Sequence, residues 1–397
     1  MRVAWFPDSF HEINGVAHTS RQFEAFARHR RLPFLCVRAG SRKPRLSIED
    51  QLWTLELHRG HLSVRLDNDL SFDPALVRFL PTIARTIRSF RPDLIHVTGP
   101  SENGLLGAAL ARHYRLPLAA SWHTNLHEYA ATRARWLVRR LPARIQPKTT
   151  QAIAELALRV LTTFYSQAQI LYAPNPDLCA LLESRTRRPC HLMRRGVDTT
   201  LFSPEHRDRD PRDKTFVLGY AGRLSIEKNV ALLATVHRQL TARGLTSFRF
   251  LILGQGSEEP WLRSNLPGAE FAGVLRGAAL ARAYANMDLF LFPSHTDTFG
   301  NVVLEAQASG VPAIVTSDGG PSSIVRHGET GLIAGDRDFS EAVGTLLINP
   351  CHLSRMRNQA RSLALESTWD SVFEKIYCTY GGIVENGASG FAGWENA

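Results

Sequence analysis

Phe216-Val217-Leu218-Gly219-Tyr220-Ala221-Gly222-Arg223-Leu224-Ser225-Ile226-Glu227-Lys228-Asn229 runs from an apolar segment through a glycine into a polar loop. The segment ending at Ala221 reads as a strand, and its lack of polar alternation fits one covered on both faces. From 229 to 243 the apolar residues recur at helical spacing, so a strand, a glycine turn and a helix follow in that order. This is the opening of a βαβ unit, and repeated units of that kind make a parallel sheet with helices on both faces.

Working outward, the alternation continues on both sides. Downstream, strands are expected at 248–253, 289–292 and 313–315, with helices at 280–286 and 303–309. Upstream, Val3-Ala4-Trp5-Phe6-Pro7 reads as a strand, Asn14-Gly15-Val16 as its glycine loop and 17–30 as a helix. Strands at 33–37 and 94–97 and helices at 74–90 and 103–113 complete a second series. The fold class is therefore α/β, with two Rossmann-like doubly wound domains and an expected cleft where the carboxyl ends of their strands meet. The charged, proline-bearing stretch 203–214 has no apolar residue and is the expected linker, giving domains at 1–203 and 204–366.

Size and composition agree. A chain of 397 residues suits two domains at roughly 100 to 200 residues each. Hydrophobic residues at 44% and charged residues at 21% exclude disordered, collagen-like and coiled-coil classes. Five cysteines without metal-ligand spacing argue against a structural zinc site and a disulfide scaffold, and point to a reducing, cytoplasmic setting. No apolar run approaches the roughly 20 residues of a membrane span. The net charge of +10 is uneven: residues 1–200 hold 29 Lys and Arg against 16 Asp and Glu, so the first half is expected to face something anionic.

The chemistry should lie on strand-to-helix loops. Arg223 and Lys228, five residues apart beyond a strand end, can neutralise a diphosphate from two sides, an Arg fork and a Lys point charge. Gly222 and the pair Gly254 and Gly256 allow close backbone approach to it. Asp297-Thr298-Phe299-Gly300-Asn301-Val302-Val303-Leu304-Glu305 places one carboxylate on a loop and a second inside the next helix. The amides between them, from Thr298 to Val302, form a helix N-terminus suited to an anion or to sugar hydroxyls.

These segments resemble the donor half of the family 4, group 1 retaining glycosyltransferases, which have the GT-B arrangement of two facing Rossmann-like domains. Gly222 to Lys228 is similar to the family's diphosphate loop, and Asp297 to Glu305 to its paired-carboxylate motif, E-x7-E, with Asp in place of the first Glu. Arg195-Gly196-Val197-Asp198, the stretch 306–312, Gly319-Gly320-Pro321 and Gly328-Glu329-Thr330-Gly331-Leu332 match as well, covering most of residues 194–335. In the first half, Gly15 resembles the family's glycine near the transferred sugar. His123, in Ser121-Trp122-His123-Thr124, resembles its strand-end histidine at the reaction centre. Residues 367–380 resemble its C-terminal helix, which crosses back onto the first domain.

The resemblance implies transfer of a hexose, with mannose from GDP-mannose slightly favoured over a UDP-sugar, to a lipid or glycan acceptor. Arg223 and Lys228 would stabilise the departing diphosphate without a metal or other cofactor, Asp297 would orient the sugar and Glu305 would hold the ribose. A sugar-nucleotide epimerase and a catalytically silent nucleotide-sugar-binding regulator are the alternatives, disfavoured by the intact set Arg223, Lys228, Asp297 and Glu305. Six basic residues within Arg133 to Lys148, with Trp136 and no acid, suit an anionic membrane surface. Nucleic acid is not an expected partner, because no recognised binding motif is present.

Overall fold

The computed structural model describes residues 1–397 apart from 13, 41–42, 61–62, 68–69, 124–145 and 388–397. The chain divides into two compact units, Met1–Arg194 with Phe373–Ala397, and Arg195–Val372.

In the first unit the strands are β1 (Val3–Phe6), β2 (Phe34–Gly40), β3 (Arg45–Glu49), β4 (Leu52–His58), a separate ribbon of β5 (Val64–Asp67) and β6 (Leu70–Phe72), β7 (Leu94–Val97), β8 (Leu118–Ser121), β9 (Ile170–Ala173) and β10 (Cys190–Leu192). Their main sheet has the order β10-β9-β8-β7-β1-β2-β4-β3. All neighbours are parallel except β3, which pairs antiparallel with β4 at the edge. The β3–β4 hairpin is an addition that the sequence reading does not contain. The helices are α1 (Gly15–His29), α2 (Leu80–Phe90), α3 (Glu102–His113), α4 (Gln146–Tyr165) and α5 (Pro176–Thr186). The helix expected over 74–90 is divided: Pro74–Phe79 is a 3-10 turn capped by the buried Asp73 carboxylate, and α2 starts only at Leu80.

The second unit holds β11 (Phe216–Ala221), β12 (Phe248–Leu253), β13 (Glu270–Gly273), β14 (Leu289–Phe292), β15 (Ala313–Thr316) and β16 (Gly331–Ala334). Around them lie α6 (Ala231–Ala242), α7 (Glu259–Asn265), α8 (Gly277–Ala285), α9 (Asn301–Ala308), α10 (Phe339–Leu347), α11 (Pro350–Leu365) and α12 (Trp369–Gly387). The sheet order β13-β12-β11-β14-β15-β16 is wholly parallel. It is the doubly wound order in which the chain reverses direction between the first and fourth strands, here β11 and β14. Leu218, Tyr220, Leu289 and Phe290 on those strands are fully buried, as the unbroken apolar runs require.

Residues 203–214, expected as a linker, belong to the second unit. Arg209 and Arg207 grip the Asp288 carboxylate at 2.5 and 2.7 Å, and Asp288 also accepts from the Val217 N–H at the start of β11. Charge pairing to one sheet therefore replaces the free tether that the composition suggested. The Arg195-Gly196-Val197-Asp198 segment has a packing role here. A Cβ on Gly196 would collide with the Trp369 backbone, and Val197 N–H donates to Ser367 O at 3.0 Å.

The chain re-enters the first unit at Phe373, inside α12. There Phe373 stacks on Phe23 with centroids 4.3 Å apart, and the Tyr380 hydroxyl bonds His96 Nδ1 within the core. Burial pushes His96 down to about 3, which keeps it neutral. Among the described residues no helix is long and apolar enough to cross a membrane.

Candidate functional site

The loops that follow β11 and β14 flank the switch point of the second unit's sheet, where open α/β sheets bind ligands. After β11, Gly222 has φ +151 and Ile226–Lys228 forms a 3-10 turn. The helix expected from 229 begins at Ala231, because Asn229 adopts the left-handed conformation with φ 51 and breaks the run. That break holds Lys228 on the loop. The Asn229 side-chain amide contacts His295 Nε2 and Asp336 Oδ2, each at 3.2 Å, tying the β11 loop to the segment after β14.

The outcome is a direct pairing of two expected site residues. Lys228 Nζ donates to both carboxylate oxygens of Asp297 at 2.7 Å, and each side chain keeps about a fifth of its surface exposed (21% and 22%). Arg223 is exposed on the same loop, whose turn is braced by the Tyr220 hydroxyl donating to Arg223 O at 2.9 Å.

Gly254 and Gly256 pack against this loop from β12. Gly254 has φ +126, and a Cβ there would run into the Gly222 carbonyl oxygen; one on Gly256 would run into that of Leu224. Leu224 N–H donates to Gln255 O at 3.0 Å, so the two loops form one backbone surface. Gly319 and Gly320 do the same beneath the second loop. A Cβ on Gly320 would strike Thr298, and Gly320 N–H donates to Asp297 O at 2.7 Å.

Gly300, with φ +96, turns the chain into α9, whose first turn contains Asn301 and Val302. The leading N–H groups of that helix have no intrahelical acceptor and form its positive end. Thr298 is half-buried and Phe299 is buried among the core side chains of the unit. Glu305, one turn into α9, is half-buried and accepts from the Tyr284 hydroxyl at 3.0 Å. Burial pushes its carboxyl up to about 7, with the tyrosine bond opposing the shift. Tyr284 is a partner that sequence reasoning missed, since nothing in Leu280 to Asn286 beyond helical spacing marks it.

Gly15 and His123 lie in the first unit. Gly15 is exposed at the start of α1, which Asn14 caps by accepting from Ala17 N–H at 2.8 Å. His123 is buried just beyond β8, with Nε2 2.6 Å from Ser121 Oγ, and Ser121 O accepts from the Tyr165 hydroxyl at 3.3 Å. A further carboxylate occupies the switch point between β1 and β7. Asp8 accepts from Ser101 Oγ at 2.5 Å, its N–H donates to Thr98 Oγ1 at 2.7 Å, and burial raises its carboxyl to about 6. Its signal in the sequence is an acid placed directly after Phe6-Pro7, at a strand end. Residues 133–145 of the basic run lie outside the described residues, as does the Lys148 side chain.

The chain matches the family described as Glycosyl transferases group 1 over residues 215–349 and Glycosyltransferase Family 4 over 34–201. A GDP-mannose-dependent alpha-mannosyltransferase of Mycolicibacterium smegmatis is 33% identical over 316 residues, 76% of each chain. One of Mycobacterium tuberculosis is 30% identical over 302 residues, covering 75% of this chain and 74% of its own. Among solved structures, a sucrose-phosphate synthase of Thermosynechococcus elongatus superposes with a TM-score of 0.73 at 17% identity, covering 97% of this chain and 100% of its own. The fold is the two-domain GT-B fold.

Proposed function

Because this chain belongs to the family 4, group 1 glycosyltransferases and is a glycosyltransferase using a nucleotide sugar, we propose that it moves mannose from GDP-mannose to a glycan or lipid acceptor with retention of configuration. The relatives at 30 to 33% identity that are named for GDP-mannose support this donor.

The observation that carries the mechanism is the Lys228–Asp297 pair at the β11/β14 switch point. A diphosphate seated on the Gly222 and Gly254 backbones meets the Lys228 ammonium and the Arg223 guanidinium, which stabilise the charge that develops as the sugar departs. Fixed cations act there without reorganising, so their effect is larger in the transition state than in the ground state. Asp297 holds Lys228 in place and offers its remaining lone pairs to a sugar hydroxyl. The amides of Phe299 to Val302 supply donors beside it, and Glu305 takes the ribose hydroxyls in its ionised form. His123, fixed by Ser121 in the first unit, is assigned to the transfer step. Retention without an enzyme nucleophile implies attack on the face the phosphate leaves, with the leaving phosphate taking the acceptor proton.

The test is a donor screen. GDP-mannose at a hundred times its dissociation constant adds about 2.7 kcal/mol of stability, which thermal unfolding detects. Incubation with acceptor glycans and NMR of the product anomer then reads transfer and stereochemistry. Stabilisation by UDP-sugars alone would move the donor assignment, and an inverted product would overturn retention.

A further inference from the structure

Four helices of the first unit end in the same unusual way. Arg31, Arg91, Arg115 and Arg187 close α1, α2, α3 and α5 in the left-handed conformation, with φ of 52, 49, 54 and 57. The backbone bonds are those of ordinary helix ends, such as Leu32 N–H to Ala27 O and Leu116 N–H to Ala111 O. Glycine takes this position at lower cost because it has no Cβ. The second unit follows that rule: Gly244 and Gly310, with φ 78 and 70, close α6 and α9. Helix capping explains a basic residue near each helix end, but it does not explain arginine in place of glycine four times in one unit.

Topology lines these arginines up. Each precedes a strand of the parallel sheet, so all lie at the strand-start end: Arg187 before β10, Arg115 before β8, Arg91 before β7 and Arg31 before β2. Arg2 precedes β1 between the last two. Six adjacent strands span about 24 Å at the usual spacing. Arg31, Arg91, Arg112, Arg115 and Arg187 are exposed, and none has an ion pair among the described residues. The acids that precede or flank these strands are engaged or peripheral, while Glu385 is exposed near the end of α12. Asp93 accepts from Arg2 N–H, Glu183 accepts from Cys190 N–H, and Asp50 sits beyond β2 at the start of β4.

The gap in the row, before β9, holds a cavity of about 550 Å³ with Arg112, Arg115, Gln167 and Gln169 among its lining and apolar walls that include Leu118 and Ile383. Cationic and amide donors above an apolar floor fit a phosphate carried on an aliphatic body. A polynucleotide needs the charges but not the floor. We propose that the strand-start end of the first unit's sheet docks on an anionic phospholipid bilayer, with a lipid phosphate entering this cavity. His123 and Gly15 follow the opposite end of the strands.

The test uses the glycine that the backbone prefers. An Arg91→Gly/Arg115→Gly/Arg187→Gly variant keeps or gains thermal stability, and it loses on the order of a hundredfold in affinity for phosphatidylglycerol-rich vesicles, as expected for three cations at an anionic surface. The corresponding triple Lys variant retains binding, and wild type does not float with phosphatidylcholine. Wild-type affinity in the glycine variant, or no flotation of the wild type, would overturn the proposal. So would a variant that loses affinity for duplex RNA while floating normally.

Discussion

Lys228 Nζ sits 2.7 Å from each carboxylate oxygen of Asp297, although 69 residues separate the two in the chain. The pair joins the loop after β11 to the loop after β14, which the sheet places side by side. Partly open to solvent, such a pair contributes about 1 kcal/mol or less to folding. In the proposed mechanism its importance is positional: the cation is assigned to the diphosphate and the carboxylate to the sugar.

Lys228→Ala and Arg223→Ala are each expected to lower turnover by about a hundredfold or more, with thermal stability nearly unchanged. Asp297→Ala should lower turnover chiefly, and combining it with Lys228→Ala should cost much less than the product of the single effects, because the two act as a unit. Steady-state kinetics on the double-mutant cycle decides this. Strictly multiplicative losses would mean that the ion pair has no part in the reaction.

Gly254→Ala and Gly256→Ala should each destabilise the protein by about 2 kcal/mol or more and weaken donor binding, since the added methyl meets a carbonyl oxygen of the neighbouring loop. Gly244→Ala is the control. Its φ is also positive, at 78, but no atom lies within 4 Å of the added Cβ, so it should cost only about 1 kcal/mol and leave donor affinity unchanged. Urea denaturation with donor titration separates the two classes.

The contrast between these glycines bears on what the chain makes readable. Gly222, Asp297 and Glu305 could be placed on strand ends and helix starts because each signal is local: an apolar run, a glycine, a change of period. The contacts Lys228–Asp297 and Tyr284–Glu305 depend on which strands and helices become neighbours, and local spacing does not carry that information. Residues 203–214 show the same limit in reverse, since their charge suggests solvent while Asp288, more than seventy residues on, binds Arg207 and Arg209. Asn229 is a third case: its left-handed turn delays α6 and leaves Lys228 on the loop, against the helical spacing that begins there.

His123→Ala is expected to reduce turnover while leaving donor affinity close to wild type, because the histidine is fixed by Ser121 at the end of β8 in the first unit, whereas the residues assigned to the diphosphate belong to the second. Ser121→Ala should produce a smaller loss with the same signature. Isothermal titration with the donor beside steady-state rates reads both. A large loss of donor affinity in His123→Ala would make the residue part of donor binding.

Glu305 gives a prediction in pH. Burial raises its folded-state value to about 7 from 4.5, so between those values the folded protein binds more protons than the unfolded chain. Stability contributed by the protonated form is present at pH 4.5 and below, and it is lost as pH rises through 7. Glu305→Gln removes that dependence. Above pH 7 the variant should therefore be more stable than wild type, by up to about 3 kcal/mol, and near pH 4.5 the two should converge. Donor binding should run the other way. A ribose hydroxyl donates to the carboxylate form, so wild-type affinity rises as pH passes through about 7, whereas Glu305→Gln stays weak and flat. Denaturant melts and donor titrations from pH 5 to about 8.5 give both curves for both proteins. Parallel stability curves for wild type and variant would show that Glu305 does not titrate in this window, and equal donor affinity would remove it from the ribose site.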